Sequence, residues 1–242
     1  MRLRVFLAVL LLGLGLGAPA QAQIPVDLQL VLAVDASGSV NDTRFELQKQ
    51  GYAAAFRNPQ VIKAIMSGGE QAIAVTMMQW TGPFMHVQVM PWTLVKDAAS
   101  AKAFGDEIAR SQRELFGGGT SISGAIDQSL ALLARSPFTS QRRTIDISGD
   151  GANTSGRSIT HARDQAVREG VSINGLPILS LDPWLDKYYY SNVIGGPGAF
   201  MIPAANYENF ADAVVKKLIL EIAVNEDRPT MKQWGAILAA AP

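Results

Sequence analysis

Residues 28–42 read LQLVLAVDASGSVND, an apolar run that ends in a polar turn. The run from Leu28 to Val34 is apolar except for Gln29, which is typical of a strand that is buried on both faces. Asn41 and Asp42 are typical helix-start residues, so a helix should follow the turn directly. A buried strand, a short polar turn and a helix in this order predict an α/β domain whose parallel sheet carries helices on both faces.

The polar turn places a carboxylate and two hydroxyls two residues apart, at Asp35, Ser37 and Ser39. Alternate residues of an extended turn can point the same way, so these three oxygens can converge. Ligands of open α/β sheets collect at the carboxyl ends of the strands, which is where this turn lies. An oxygen-only set of this kind suits Mg²⁺ or Mn²⁺ far better than zinc or copper.

The rest of the chain alternates strand and helix patterns. Further strands are predicted at 71–80, 84–92, 143–148, 171–179 and 199–202, and helices at 41–57, 61–66, 97–113, 121–135, 157–169 and 206–224. Residues 84–92 alternate less cleanly and should form an antiparallel edge strand, whereas residues 182–193 suggest a short helix with an aromatic run. The fold class expected is therefore α/β, with one doubly wound, mostly parallel sheet, a single antiparallel edge strand and helices on both faces.

The first 22 residues have the features of a secretory signal peptide. A basic start at 1–4 is followed by an apolar core at 5–16 and by the small-x-small sequence Ala20-Gln21-Ala22. The alternative is a membrane anchor, but the core is shorter than the ~20 residues that a span needs. We therefore expect a periplasmic or secreted protein, with a signal peptide at 1–22, a domain at 23–224 and a C-terminal tail at 225–242.

Composition excludes several classes of protein. The chain has 21 basic and 21 acidic residues, and loss of the signal peptide would remove two arginines and no acid. The slight acidic excess that remains argues against nucleic acid or an anionic membrane as the partner. The sequence has no cysteine, so disulfides, zinc thiolate sites and cysteine nucleophiles are all excluded. After the signal peptide, no apolar segment is long enough to span a bilayer.

Two further loops carry oxygens that could join the first turn. Thr120 follows three glycines at 117–119, and Asp150 lies between Gly149 and Gly151 at the end of a predicted strand. Both loops belong to the same edge of the sheet as the first turn. Asp, Ser and Gly are also ordinary turn and helix-cap residues, so a purely structural role is the alternative for each loop taken alone.

The three parts in this order resemble the metal-ion-dependent adhesion site of von Willebrand factor type A (vWA) domains, over roughly Val26 to Val224. The phrases IDISGDG at 145–151, NGLPI at 174–178 and IGGPGAF at 194–200 further resemble exported bacterial proteins with a vWA-like domain of unassigned function. The resemblance implies a metal site formed by Asp35, Ser37, Ser39, Thr120 and Asp150. Serine and threonine would be direct or near-direct ligands, and the two aspartates would act directly or through water.

The same resemblance implies a function, because such sites leave one coordination position for an acidic residue of a protein partner. We therefore expect a binding module that uses Mg²⁺ or Mn²⁺, and not an enzyme. Two alternatives stay open: a metal-assisted hydrolase of phosphate or carboxyl substrates, and a metal-free structural subunit of an envelope complex. No Gly-x-Ser-x-Gly elbow, His-Glu-x-x-His motif or P-loop lysine occurs in the sequence.

Asp146 is the one acidic residue predicted inside a buried strand. An unpaired carboxylate there would destabilise the fold by several kcal/mol, so the residue should have a partner. Arg142, Arg143 or a neighbouring backbone amide are the candidates that the sequence offers. A structural ion pair is the expected role of Asp146.

Overall fold

The computed structural model of the chain describes residues 23–223; the predicted signal peptide and the tail from 225 lie outside these residues. The strands are β1 (Ile24–Pro25), β2 (Leu28–Asp35), β3 (Ile73–Trp80), β4 (His86–Val95), β5 (Phe138–Thr139), β6 (Arg143–Gly149) and β7 (Ser172–Pro177). The helices are α1 (Asp42–Phe56), α2 (Pro59–Ile65), α3 (Ala98–Arg110), α4 (Ile122–Ala134), α5 (Ile159–Arg168), α6 (Leu185–Tyr188) and α7 (Phe210–Ile222).

Five strands form the central sheet in the order β4-β3-β2-β6-β7, and β1 pairs with β5 separately. All neighbours in the central sheet are parallel except β3 and β4, which are antiparallel. The mostly parallel sheet with one antiparallel edge strand is thus confirmed. After β2, the chain first forms β3 on one side of that strand and later forms β6 on its other side.

The apolar run of β2 fills both faces of the sheet, as its sequence predicts. Leu28, Leu30 and Leu32 pack into the core beneath α1, α2, α3 and α7. Val31 and Ala33 point the opposite way, into the core beneath α4 and α5. All five side chains are fully buried. Apolar packing on both faces therefore fixes the position of the central strand. The turn at 35–39 is fixed with it, because it follows β2 directly.

The structure corrects two of the predicted elements and defines a third. The helix predicted at 97–113 ends at Arg110, and the chain then runs without regular structure to Ser121. The strand predicted at 199–202 is reduced to one isolated bridge, between Met201 and Gly175 of β7, and a second bridge joins Ala204 to Ile178 just beyond it. The ambiguous segment at 182–193 forms α6 and one π-helical turn, Tyr189–Val193, whose buried Tyr189 supplies the packing.

Within residues 23–223, no helix combines the length and the apolar character needed to cross a bilayer.

Trp184 is the exposed member of the aromatic segment, with 62% of its surface accessible, and the Lys187 ammonium lies 4.0 Å from the centre of its ring. Packing thus accounts for Tyr189, whereas Trp184 remains at the surface.

Candidate metal centre

Asp35 ends β2 and is fully buried. Its Oδ1 accepts a hydrogen bond of 2.7 Å from the backbone N–H of Ser37, and its backbone carbonyl accepts one from Gln48 of α1. Its other carboxylate oxygen, Oδ2, is buried and has no hydrogen-bond partner among the described residues. A buried carboxylate oxygen without a donor is unusual and needs a physical explanation.

Ser37, Ser39 and Asp150 form a chain of neighbouring oxygens. The two serine hydroxyls are 3.3 Å apart, and the Ser39 hydroxyl donates to Asp150 Oδ1 over 2.5 Å. These residues come from the loops after β2 and β6, which are adjacent in the sheet. The structure therefore brings together two of the three segments that the sequence predicted, through direct contacts between the named side chains.

Asp150 is held by groups that the sequence did not identify. Tyr207 donates its hydroxyl proton to Asp150 Oδ2 over 2.8 Å, and the Arg44 guanidinium lies 3.7 Å from the same oxygen. Arg44 also donates to the carbonyl of Ser39 and lies over the Tyr207 ring. Burial and the Asp150 carboxylate together raise the pKa of Tyr207, so the phenol stays protonated and remains a donor.

Thr120, the third predicted segment, lies beside the Asp150 loop. Its Oγ1 is 3.6 Å from the point where a Cβ on Gly151 would lie. Its backbone is fixed by Thr154, which donates its N–H to the Thr120 carbonyl over 2.8 Å and accepts the Thr120 N–H at its hydroxyl over 3.1 Å. The loop at 151–155, which the sequence left without a definite role, positions Thr120.

The glycines at 117–119 allow the Thr120 loop to approach the first turn closely. Gly38 donates its N–H to the Gly118 carbonyl over 3.2 Å, and a Cβ on Gly38 would lie 3.2 Å from that same oxygen. Gly118 has a φ of +92°, a conformation that side chains other than glycine rarely adopt. Backbone contact between two glycines therefore joins the first and third segments.

Arg113 binds both ends of the 36–40 turn, a role for which the sequence offers no signal. We call this set of contacts the Arg113 clamp. Its guanidinium donates to the carbonyls of Ala36 and Val40, at 3.1 and 2.7 Å, and pairs with Asp42 at 2.9 Å. Its side chain is only 10% exposed. This position is available because α3 ends early, which leaves Arg113 in an extended segment instead of on a helix.

Burial raises the pKa of Asp35 to about 7, against the opposing hydrogen bonds from Ser37, and the nearby Asp150 carboxylate raises it further. A cation beside Oδ2 would reverse this effect because it favours the ionised carboxylate. The unsatisfied oxygen and the raised pKa of Asp35 have the same physical origin, which is burial of the carboxylate away from water.

The residues present fit a hard divalent cation. All five predicted ligands present oxygen, and adjacent ligands of an octahedral Mg²⁺ at ~2.1 Å would be about 3 Å apart. The Ser37–Ser39 and Ser39–Asp150 separations of 3.3 and 2.5 Å lie on either side of that value. Within residues 23–223, no three His, Asp or Glu side chains are grouped so as to hold a metal, so hydroxyls would have to contribute.

A family model described as "Protein of unknown function (DUF1194)" matches residues 25–226. The chain belongs to this family. No match was found among curated proteins.

Among solved structures, several vWA domains share the fold. Proximal thread matrix protein 1 of the mussel byssus has a TM-score of 0.59 at 12% identity, over 83% of this chain and 47% of that protein. A vWA protein from Catenulispora acidiphila gives 0.57 at 14% identity, over 81% and 43%. The SpRpn10 VWA domain gives 0.55 at 15% identity, over 83% and 100%.

This chain spans about half the length of the byssus protein, and identities this low establish the shared fold alone. The predicted vWA-like fold is therefore confirmed for this DUF1194 chain. One byssus structure holds zinc in its metal-ion-dependent adhesion motif, which is a property of that protein. Occupancy and ligand roles at Asp35, Ser37, Ser39, Thr120 and Asp150 stay predictions here.

The Arg113 clamp gives a testable consequence for stability. Arg113→Met should lower the free energy of unfolding by about 2 kcal/mol, because hydrogen bonds to a charged group are lost at a nearly buried position. Hydrogen exchange of the amides at 36–40 should also become faster. Arg110→Met, which changes an exposed arginine at the end of α3, is the matched control and should alter neither quantity. Equal effects of the two substitutions would contradict a clamp.

Proposed function

We propose that this DUF1194 chain is a binding module that holds Mg²⁺ or Mn²⁺ at Asp35, Ser37, Ser39, Thr120 and Asp150 and uses the ion to bind an acidic residue of a protein partner. The proposal assigns no catalytic reaction to the chain. It also places the protein in the periplasm or outside the cell, after removal of residues 1–22. The single observation that carries the metal assignment is the buried Oδ2 of Asp35, which has no hydrogen-bond partner within residues 23–223 and belongs to a turn that contacts the Asp150 and Gly118 loops.

Charge balance supports an acidic ligand. A bound divalent cation would supply positive charge that attracts a carboxylate. Three of the five ligands, Ser37, Ser39 and Thr120, are neutral hydroxyls, so the ion would keep much of its charge. The Arg44 guanidinium, within 3.7 Å of Asp150, further offsets the carboxylates of the site. An incoming acid would therefore meet a net attractive field in the metal-bound protein.

Exposed apolar side chains border the same edge of the sheet. Phe84 is 95% exposed and Phe116 is 66% exposed, and both lie on loops that lead to the site. The intervening Met85 has its sulfur 3.7 Å from the Cβ position of Gly118. Phe84 and Pro83 also line a shallow groove of about 310 Å³ beside α4. Large apolar residues exposed around a polar centre are typical of protein-binding surfaces.

Cation binding is the first test. Isothermal titration of the purified protein with Mg²⁺ and Mn²⁺ should show one binding site, and Asp35→Asn and Ser39→Ala should each weaken it by tenfold or more. Asp127→Asn removes an exposed carboxylate of α4 and is the matched control, with unchanged affinity expected. Absence of binding in the millimolar range, or equal affinity in all variants, would refute the site.

Cation affinity should also depend on pH through Asp35. Its pKa of about 7 lies above the ordinary value of 3.8, so a proton competes with the ion below neutrality. With one competing proton, affinity should fall about tenfold from pH 8 to pH 6. Asp35→Asn should abolish this dependence along with most of the affinity. A flat profile in the wild type between these pH values would show that Asp35 does not face the ion.

Partner chemistry can be tested without knowing the partner. Random peptides displayed on phage and selected on the immobilised protein in Mg²⁺ should become enriched in Asp or Glu flanked by apolar residues. Their binding should vanish in chelator and in Ser39→Ala. Phe84→Ser should weaken peptide binding by about tenfold while Mg²⁺ affinity stays unchanged, since the ring contacts only the partner. Enrichment of acid-free peptides that bind in chelator would overturn this mode of recognition.

A further inference from the structure

A second cluster of buried ionisable groups lies on the opposite side of the sheet from α4 and α5. Asp146 of β6 faces α7, where Lys217 Nζ lies 2.6 Å from Asp146 Oδ1. The same ammonium lies 2.5 Å from Glu221 Oε1, and Glu221 Oε1 also accepts a hydrogen bond of 2.9 Å from Asn174 Nδ2. The side chains of Lys217, Asp146 and Glu221 are no more than 1% exposed. The expected ion pair of Asp146 is present, with Lys217 as its partner.

The two arginines suggested by the sequence bind elsewhere. Arg142 donates to the backbone carbonyls of Glu221 and Ile222, and Arg143 donates to the carbonyl of Glu169. Asp146 is therefore left in contact with a buried lysine and beside a second buried carboxylate.

We propose that Lys217 and Asp146 form an intramolecular amide crosslink between α7 and β6, with Glu221 as the proton-transfer group. The reaction is a condensation that needs no co-reactant and releases one water molecule. The reaction is independent of the proposed metal site, because that site uses other side chains, which lie at the carboxyl edge of the sheet.

Proximity is the first argument for the reaction. Asp146 Cγ is one bond from Oδ1, so Lys217 Nζ and that carbon are at most about 3.8 Å apart. Reacting groups held at such a distance by a folded scaffold have effective molarities of about 10⁵ to 10⁸ M. The lysine cannot move to water because it is wholly buried between the sheet and α7.

The dry surroundings are the second argument. In water, amide hydrolysis is favoured largely because the released ammonium and carboxylate are hydrated. Inside this core both ions lose that hydration, so condensation to a neutral amide relieves the cost of their burial. Burial, followed by the neighbouring Glu221 carboxylate, raises the pKa of Asp146 to about 7 despite the opposing charge of Lys217. The neutral carboxylic acid, which is the form that an amine can attack, is thereby accessible near neutral pH.

The steps balance with Glu221 as a proton carrier. A proton passes from the Lys217 ammonium to Asp146 within their ion pair, which gives a neutral amine and a neutral acid. The amine lone pair forms the N–C bond to Cγ, Glu221 accepts the proton that nitrogen loses, and it returns this proton to the departing hydroxyl. The C–O bond breaks, water leaves, and nothing is oxidised or reduced.

Peptide mass spectrometry of the purified protein tests the proposal directly. A crosslinked chain resists trypsin at Lys217, so residues 144–157 should be recovered joined to the peptide that begins at Lys217, lighter than the two separate peptides by one water. Loss of water by cyclisation at Asp150-Gly151 would leave those peptides separate. Separate peptides with normal cleavage after Lys217 would overturn the proposal, as would a crosslink to Asn174, which would release ammonia instead.

Variants separate chemistry from packing. Glu221→Gln keeps the size of the side chain but should slow crosslinking by about 10²-fold or more, because proton transfer is lost. Lys217→Met should abolish the joined peptide. Lys216→Arg, at the exposed neighbouring position, removes an amine but keeps the tryptic site, and it should leave the joined peptide unchanged. If either core variant does not fold, the wild-type digest still decides between crosslinked and free side chains.

Discussion

The structure depends on one strand that is buried on both faces and hydrogen-bonded along both edges. β2 lies between β3 and β6, and its leucines and valines leave no freedom to shift along the strand direction. A displacement by one residue would exchange the side chains between two different cores. The position of Asp35 is therefore set by apolar packing several residues away, before any polar contact at the site contributes.

The topology then brings the remaining loops to the same place. The chain passes from β2 to β3 on one side and reaches β6 on the other, so the loops after β2 and β6 leave the sheet in different directions and open a crevice between them. The segment before α4 closes this crevice through the contact between Gly38 and Gly118. A site assembled in this way needs no grouping of its residues in the sequence, only a fixed strand order.

Much of the fold and most of the candidate site could be predicted from the sequence, because periodicity and turn residues are local signals. The apolar run at 28–34 and the helix-start residue Asn41 mark the ends of β2 and the start of α1 correctly. Contacts made across the chain left no such signal. Arg113 looked like the end of a helix, and the hydrogen bond from Tyr207 to Asp150 joins residues 57 positions apart. The partner of Asp146 was missed for the same reason, since Lys217 resembles any lysine of an amphipathic helix until α7 is placed on the sheet.

The two buried aspartates show how one physical effect leads to two different chemistries. Burial raises the pKa of Asp35 and of Asp146 to about 7, because loss of hydration disfavours the ionised form of both carboxyl groups. Asp146 is enclosed between a strand and a helix, and the protein itself supplies the cation through Lys217. Asp35 lies where loops meet at the edge of the sheet, and its Oδ2 lacks an internal donor among the described residues. A carboxylate that is paired with a cation of its own chain can stabilise the fold or react within it, whereas one without an internal cation at the carboxyl edge of the sheet can recruit a charge from solution. The two acids are equally buried, so the supply of a cation from within the chain, and not burial or residue type, separates Asp146 from Asp35, the acid proposed to bind an ion.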